Sequence, residues 1–255
     1  MKAQAPILEF DPEPKALIEP SRYHRKIDVA EHCLVTFFQD VIDRLAAAGR
    51  LRVVKEIATQ IGKHFLYELE VDARRLALIH PGIGASLAAG LLEVVIARGC
   101  RKFVVCGGAG VLDSSIAAGR AIVLGRALRD EGTSYHYLPP GHEAALAPAL
   151  AAALEDGFGD LEVPVFAGAS WTTDAPFRET QSGIDHHARA GIACVEMEAA
   201  ALYAYAQSQG AAVVCVAHLT NEMGRQEIDF EKGAADGATE TLTVVARIAD
   251  LVLPP

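Results

Sequence analysis

The stretch Cys194-Val195-Glu196-Met197-Glu198-Ala199-Ala200-Ala201-Leu202-Tyr203-Ala204-Tyr205 limits the fold more than any other part of the chain. It runs from an apolar, strand-like end into an Ala-rich helix with almost no polar face. A helix that is apolar all round belongs in an interior, so the chain must build a core large enough to surround it. Two carboxylates stand where that helix begins. One reading is charge complementation, because the helix dipole favours acids in a first turn. The other is chemical. A carboxylate held beside a sugar accepts hydrogen bonds from neighbouring hydroxyls, with the thioether of Met197 packed under the apolar face of the ring.

The remaining sequence supplies such a core. A chain of 255 residues suits one α/β domain. Hydrophobic residues make up 51%, enough to leave apolar surface for contacts between copies. The net charge of −10 argues against a general nucleic-acid binder, which needs clustered Lys and Arg, but leaves room for a local anion site. No run of about 18 apolar residues suggests a membrane span, and Met1-Lys2-Ala3-Gln4-Ala5-Pro6 has no signal-peptide character. Cysteines lie singly at 33, 100, 106, 194 and 215, without C-x-x-C spacing. Free thiols in a reducing, cytoplasmic compartment are therefore expected.

Residues 1–30, interrupted by prolines at 6, 12, 14 and 20, read as an extended arm, and 31–255 as the domain. Cys33 to Phe38 is a strand and Val41 to Ala48 a helix. His64 to Glu70 and Arg75 to His80 form a hairpin, and Ala85 to Arg98 is a helix behind the turn Pro81-Gly82-Ile83-Gly84. Lys102 to Cys106 is a strand opening into Gly107-Gly108-Ala109-Gly110, read either as a loop whose N–H groups face an anion or as a close crossing of elements. Ala121 to Leu128 is a strand, Ala144 to Leu154 a helix broken by Gly157-Phe158-Gly159, and Pro164 to Gly168 a strand. Ala211 to Leu219 has the continuous apolar character of a central parallel strand, and residues 238–252 form a closing helix. This order predicts a three-layer α/β/α domain with a mixed, mainly parallel sheet and its ligand at the carboxyl ends of the strands.

Other chemistries fit less well. Leu87 stands where a dinucleotide fingerprint needs its third glycine. Gly84-Ala85-Ser86-Leu87-Ala88 lacks the last glycine of a hydrolase elbow. The doublet His186-His187 projects to different sides of a helix, so no metal site is expected there.

Taken in order, Pro81-Gly82-Ile83-Gly84, Phe103 to Gly110, Arg129 to Tyr137, Trp171-Thr172-Thr173-Asp174-Ala175-Pro176-Phe177-Arg178-Glu179-Thr180 and Glu196-Met197-Glu198 resemble the motifs of the nucleoside phosphorylases, the family of uridine phosphorylase, hexameric purine nucleoside phosphorylase and related nucleosidases. The resemblance implies that Glu198, with Glu196 and Met197, holds the ribose. It implies base contacts from Phe177, Arg178, Glu179 and Asn221. It also implies inorganic phosphate as co-substrate near Gly84, Gly108, Ala109 and Gly110, with no cofactor. His24 beside Tyr23 would reach a neighbouring copy's site in a homo-oligomer, dimer or hexamer.

The chain departs from the family at its phosphate site. Phe37-Phe38-Gln39-Asp40 replaces a Gly-Asp-Pro loop, and Val105 and Gly108 stand where an Arg and a Ser or Thr are found. Arg129 and Lys63 are the candidate replacement cations. Asn221 stands where the purine enzymes carry a proton-donating Asp and uridine phosphorylases an Asn. A neutral amide donates a hydrogen bond but delivers no proton, which favours a uridine-like substrate. The alternatives left open are a nucleosidase of the same fold and a nucleoside-binding protein without turnover.

Overall fold

The segment before the first strand, expected to be an extended arm, meets the rest of the chain through polar contacts and through Ile27, Val29 and Ala30, which pack on the main core. It carries a short helix, α1 (Pro20–Tyr23). Arg98 donates to the Arg25 carbonyl at 3.0 Å and meets His24 Nδ1 at 3.2 Å. The buried Glu68 carboxylate accepts from the Ala30 N–H and pairs with Arg52 and Arg75. Burial alone would raise this carboxyl, but the two guanidiniums outweigh it and hold the group below its usual range. The structure, a computed structural model, describes residues 5–13, 15–71, 73–113, 115–116, 121–155, 165–222 and 247–248. The Gly157-Phe158-Gly159 break lies outside the described residues, as does the helix expected over 238–252 except for Arg247 and Ile248.

The body begins with β1 (His32–Thr36), buried throughout. Helix α2 (Gln39–Ala47) buries Val41, Ile42 and Leu45 on one face. The strands β2 (Arg52–Thr59), β3 (Gly62–Val71) and β4 (Arg74–Ile79) form an antiparallel meander. The hairpin expected over 64–80 is thus present. The outer strand β2 was not legible, because its mostly exposed side chains show no clean apolar alternation. Helix α3 (Ala85–Arg98) has the expected bounds. There follow β5 (Lys102–Val111), β6 (Ala121–Asp130), β7 (Glu143–Ala145), α4 (Pro148–Leu154), β8 (Val165–Thr173), α5 (Gln181–Arg189), β9 (Cys194–Glu196), α6 (Ala199–Gln209) and β10 (Ala212–Glu222). Ala144 to Leu154 is not one helix. Ala144 and Ala145 pair with Ala127 and Arg126 of β6, and Pro148, whose fixed φ suits a first turn, starts α4.

The strand order is β10-β6-β8-β9-β5-β1-β4-β3-β2, with β7 on β6. β4, β1, β5 and β10 are parallel neighbours, as befits apolar runs buried on both faces. The mixed α/β sheet is therefore as expected. It also curls. β5 pairs with β1 along Lys102–Cys106 and with β9 at Gly110 and Val111, while β10 pairs with both β5 and β6. β5, β10, β6, β8 and β9 thereby close a hydrogen-bonded circuit.

Helix α6 packs against that circuit, with Ala199 to Tyr205 all buried. It stops at Gly210, whose φ of 68° is a left-handed conformation that glycine adopts without a Cβ clash. Tyr203 shows why this helix must sit where it does. The β10–β6 ladder covers only Val216–His218 against Ala121–Val123. Beyond it, the Tyr203 hydroxyl donates to the Leu124 carbonyl of β6 and accepts the Cys215 N–H of β10 at 3.0 Å. One phenol satisfies two backbone groups that the ladder leaves unpaired. Tyr203→Phe keeps the ring and strands both groups, so urea denaturation should show a loss of about 1–3 kcal/mol. A loss within about 0.5 kcal/mol, the scale of an inconsequential surface change, would show that the hydroxyl does not bridge the strands.

Candidate active site

The site is built around two glutamates whose surroundings give them different tasks. Strand β9 pairs with β8 so that Glu196 lies opposite Thr172. Its Oε1 accepts from Ser170 Oγ at 3.0 Å and from Thr172 Oγ1, and its Oε2 accepts the N–H groups of Glu198 and Ala199, each at 2.7 Å. Thr172 Oγ1 in turn accepts the Ala200 N–H at 3.0 Å. Four donors fill the acceptor capacity of a carboxylate. Glu196 thus caps the otherwise unpaired start of α6 and ties it to β8. Burial pushes its carboxyl upward, and the donors pull against that shift.

Glu198 is left with capacity to spare. It is 8% exposed, and its Oε1 accepts the Gly84 N–H at 2.7 Å. Burial first, then the charge of Glu196, push its carboxyl up to about 8, with Asp174 adding to the shift and the Gly84 and Met197 backbone bonds opposing it. Met197 is partly buried between the two acids. Gly84 reaches Glu198 because Gly82 and Gly84 both hold positive φ, 80° and 96°, in the turn between β4 and α3. The Gly84 N–H, expected at phosphate, is therefore spent on Glu198.

Glu196 and Glu198 line a cleft whose walls include Phe37, Gly107, Gly108, Leu202, Cys215 and Ala217. Among the described residues, no Lys, Arg or His lines it. The anion loop expected at 107–110 is instead part of β5, paired with β10 from Ala217 to Asn221 across a register shift between Leu219 and Asn221, so its backbone is engaged in the ladder. The glycines serve close packing: a Cβ on Gly107 would lie 3.0 Å from Phe37 Cδ2, and one on Gly108 3.2 Å from Thr220 Cγ2. Ala109 is buried, its carbonyl accepting from Thr220 Oγ1 at 3.3 Å, and Gly110 pairs with both Val195 and Asn221.

The candidate cations lie elsewhere. Arg129 is buried, donating to Ser134 Oγ at 2.8 Å, the Pro139 carbonyl at 2.7 Å and the Leu138 carbonyl at 3.1 Å, with its guanidinium over the Tyr135 ring. That corrects its reading as a phosphate ligand, since its donors hold the 133–139 turn. Lys63 is exposed at the start of β3 and pairs with Glu56 at 3.0 Å. His24 is bound to Arg98 of its own chain. On the base side, Phe177 and Arg178 are exposed and Glu179 half-buried with its carboxyl raised by burial; none of the three lines the cleft. Their segment starts close to the acids, because Asp174, which accepts the Gly132 N–H at 2.9 Å, acts on the Glu198 charge. The Asn221 backbone lies opposite Gly110, and its side chain falls outside the described residues. His186 and His187 do not diverge as expected: their rings meet edge to face at 5.2 Å, with His187 also against Trp171.

Ser170 and Thr172 were missed by sequence reading. The available signal was two hydroxyls at i and i+2 on one face of a buried strand, which demand a polar partner.

The raised carboxyl of Glu198 sets the sign of a stability effect. The folded protein holds the proton that the unfolded chain releases near the ordinary glutamate value, so stability falls as pH rises between that value and about 8. Glu198→Gln removes the titration. Melting temperatures from pH 5 to 9 should show the variant gaining on the parent as pH rises; a constant difference across that range would contradict the assigned shift.

Comparison with known proteins bears on this arrangement. The family model of the phosphorylase superfamily matches residues 31–250. A guanosine phosphorylase of Halorubrum lacusprofundi is 28% identical over 196 residues, covering 74% of this chain and 78% of that protein. A uridine phosphorylase of Thermococcus kodakarensis is 26% identical over 253 residues, covering 89% of this chain and 88% of that protein. A solved uridine phosphorylase of Vibrio fischeri, complexed with 6-hydroxy-1-naphthoic acid, shares the fold with a TM-score of 0.74 at 18% identity, over 90% of this chain and 98% of that one. With the model matched along most of its length, the chain belongs to the phosphorylase superfamily.

Proposed function

We propose that this protein cleaves the N-glycosidic bond of a pyrimidine, uridine-like nucleoside with inorganic phosphate, giving free base and ribose 1-phosphate. The observation that carries the reading is the division between the two acids. Glu196 is saturated by four donors, whereas Glu198 carries only backbone bonds, from Gly84 and Met197, and lines the cleft. As the glycosidic bond stretches, the ribose gains oxocarbenium character. An ionised carboxylate held in a dry wall stabilises that charge and accepts from the sugar hydroxyls without reorganising. Those hydroxyl donors also favour the ionised form, offsetting the burial that raises Glu198 in the empty cleft. Asn221 supports a base that leaves as a stable anion, since an amide donates a hydrogen bond but no proton.

On this reading phosphate attacks the anomeric carbon with no covalent enzyme intermediate and no cofactor. Its charge is met from outside the subunit by Lys63 of a second copy, and His24 of that copy approaches the sugar, in a cytoplasmic homo-oligomer, dimer or hexamer. Phe177, Arg178 and Glu179 close over the base once it is bound.

One observation favours a second reading. Among the described residues the cleft wall carries two acids and no cation, with Phe37 over Gly107, a poor seat for a dianion and an adequate one for water. Hydrolysis on the same carboxylate is the outcome if phosphate is not required.

Losing a preorganised charge at the reacting centre costs about 3 kcal/mol. Glu198→Ala should therefore lower turnover about a hundredfold or more, read as base release from uridine, thymidine, inosine and guanosine; an unchanged rate removes Glu198 from the mechanism. The same panel without phosphate separates the two readings, since undiminished base release in its absence excludes obligatory phosphorolysis.

A further inference from the structure

The turn that supplies the Gly84 N–H is itself held by a residue that the reaction scheme does not use. His80 follows β4 directly, and its Nδ1 accepts the Gly82 N–H at 3.0 Å. Gly82 packs closely on α3: a Cβ there would lie 2.2 Å from Leu87 Cδ2, and its φ of 80° suits glycine. On the other side the imidazole meets the Phe37 ring at 6.0 Å between centroids and hydrogen-bonds the Phe37 backbone. One half-buried ring therefore joins the β1–α2 turn to the β4–α3 turn, with Phe37 in the cleft wall on one side and Gly84 on the other.

We propose that His80 is a positioning residue: its neutral imidazole fixes Gly82 so that the Gly84 N–H is aimed at Glu198. Only the unprotonated Nδ1 accepts a hydrogen bond, so the device requires the tautomer with its proton on Nε2. Burial lowers the affinity of the ring for a second proton, the Phe37 bond pulls the other way, and His64 of β3, whose Nδ1 lies 3.5 Å from the His80 carbonyl, lowers it again. The groups that act on Glu198 are Glu196 of β9, Asp174 after β8, the Met197 backbone beside it and the Gly84 N–H at the head of α3. Of these the Gly84 N–H is the one His80 controls. Loss of that donor raises the Glu198 carboxyl further and leaves less of it ionised at a given pH.

The test compares H80L, which removes the acceptor, with H80N, whose amide oxygen accepts the N–H two residues on, as in an Asx turn. Carboxyl resonances of 13C-glutamate-labelled protein report Glu198 directly, assigned by the signal missing in Glu198→Gln. The inference predicts that H80L raises the Glu198 midpoint by roughly one pH unit, the scale of one charge-assisted hydrogen bond, and that H80N restores the parent value. The acid limb of kcat against pH moves with it. H80F takes the place of H80L if the latter does not fold, keeping a ring against Phe37 without the acceptor. An unchanged midpoint in the folded acceptor-less variant, or equal shifts in that variant and H80N, overturns the proposal. The kinetic arm rests on Glu198 as the sugar ligand and the resonance arm does not. Full turnover in Glu198→Gln sinks the functional reading alone, whereas a Glu198 midpoint indifferent to His80 sinks this one alone.

Discussion

The hydrogen-bonded carboxylate of Glu196 is the constraint on which the cleft depends. A buried acid is tolerable only when its lone pairs are filled, and Glu196 fills them with two hydroxyls of β8 and the first N–H groups of α6. The same contacts solve the problem of an apolar helix whose start is buried, where exposed N–H groups have no water to turn to. Because β8, β9 and α6 meet at one side chain, the backbone of Glu198 is fixed. Its carboxylate can then be presented to the cleft rather than consumed as a cap.

This division also explains the electrostatics. Two acids so close in a poorly solvated wall cannot both ionise freely, and their environments push them apart: one is surrounded by four donors, the other is met by the backbone of Gly84 and Met197 alone. The acid with spare capacity is the one whose charge a ligand's hydroxyls can switch on. With no basic side chain in the wall among the described residues, the cleft favours ligands that bring donors and developing positive charge. A sugar at a breaking glycosidic bond brings both.

Much of this was legible in the sequence. The buried character of α6, the bounds of α3 and the hairpin over residues 64–80 follow from apolar periodicity, and the ordered motifs single out Glu198 as a candidate. What was not legible depends on partners remote in sequence. Glu196 and Glu198 look alike as letters, and Ser170, Thr172 and Gly84, between 24 and 114 residues away, separate their roles. Gly107 to Gly110 read as a loop because glycine suggests turns. Here the absence of Cβ atoms lets Phe37 and Thr220 press onto a strand. Arg129 read as a free cation because its acceptors are backbone carbonyls, which composition does not reveal. The closure of the sheet through β5 and β10 has no local signature, since it needs one strand to change partners along its length.

A crystal structure with a bound nucleoside tests the central claim most directly. The account predicts ribose hydroxyls within hydrogen-bond distance of Glu198, the Gly84 contact kept, and Glu196 still holding Ser170, Thr172 and the start of α6. A sugar bound to Glu196 with its four donors released, or seated away from the wall formed by Glu198, Gly107 and Ala217, would contradict it.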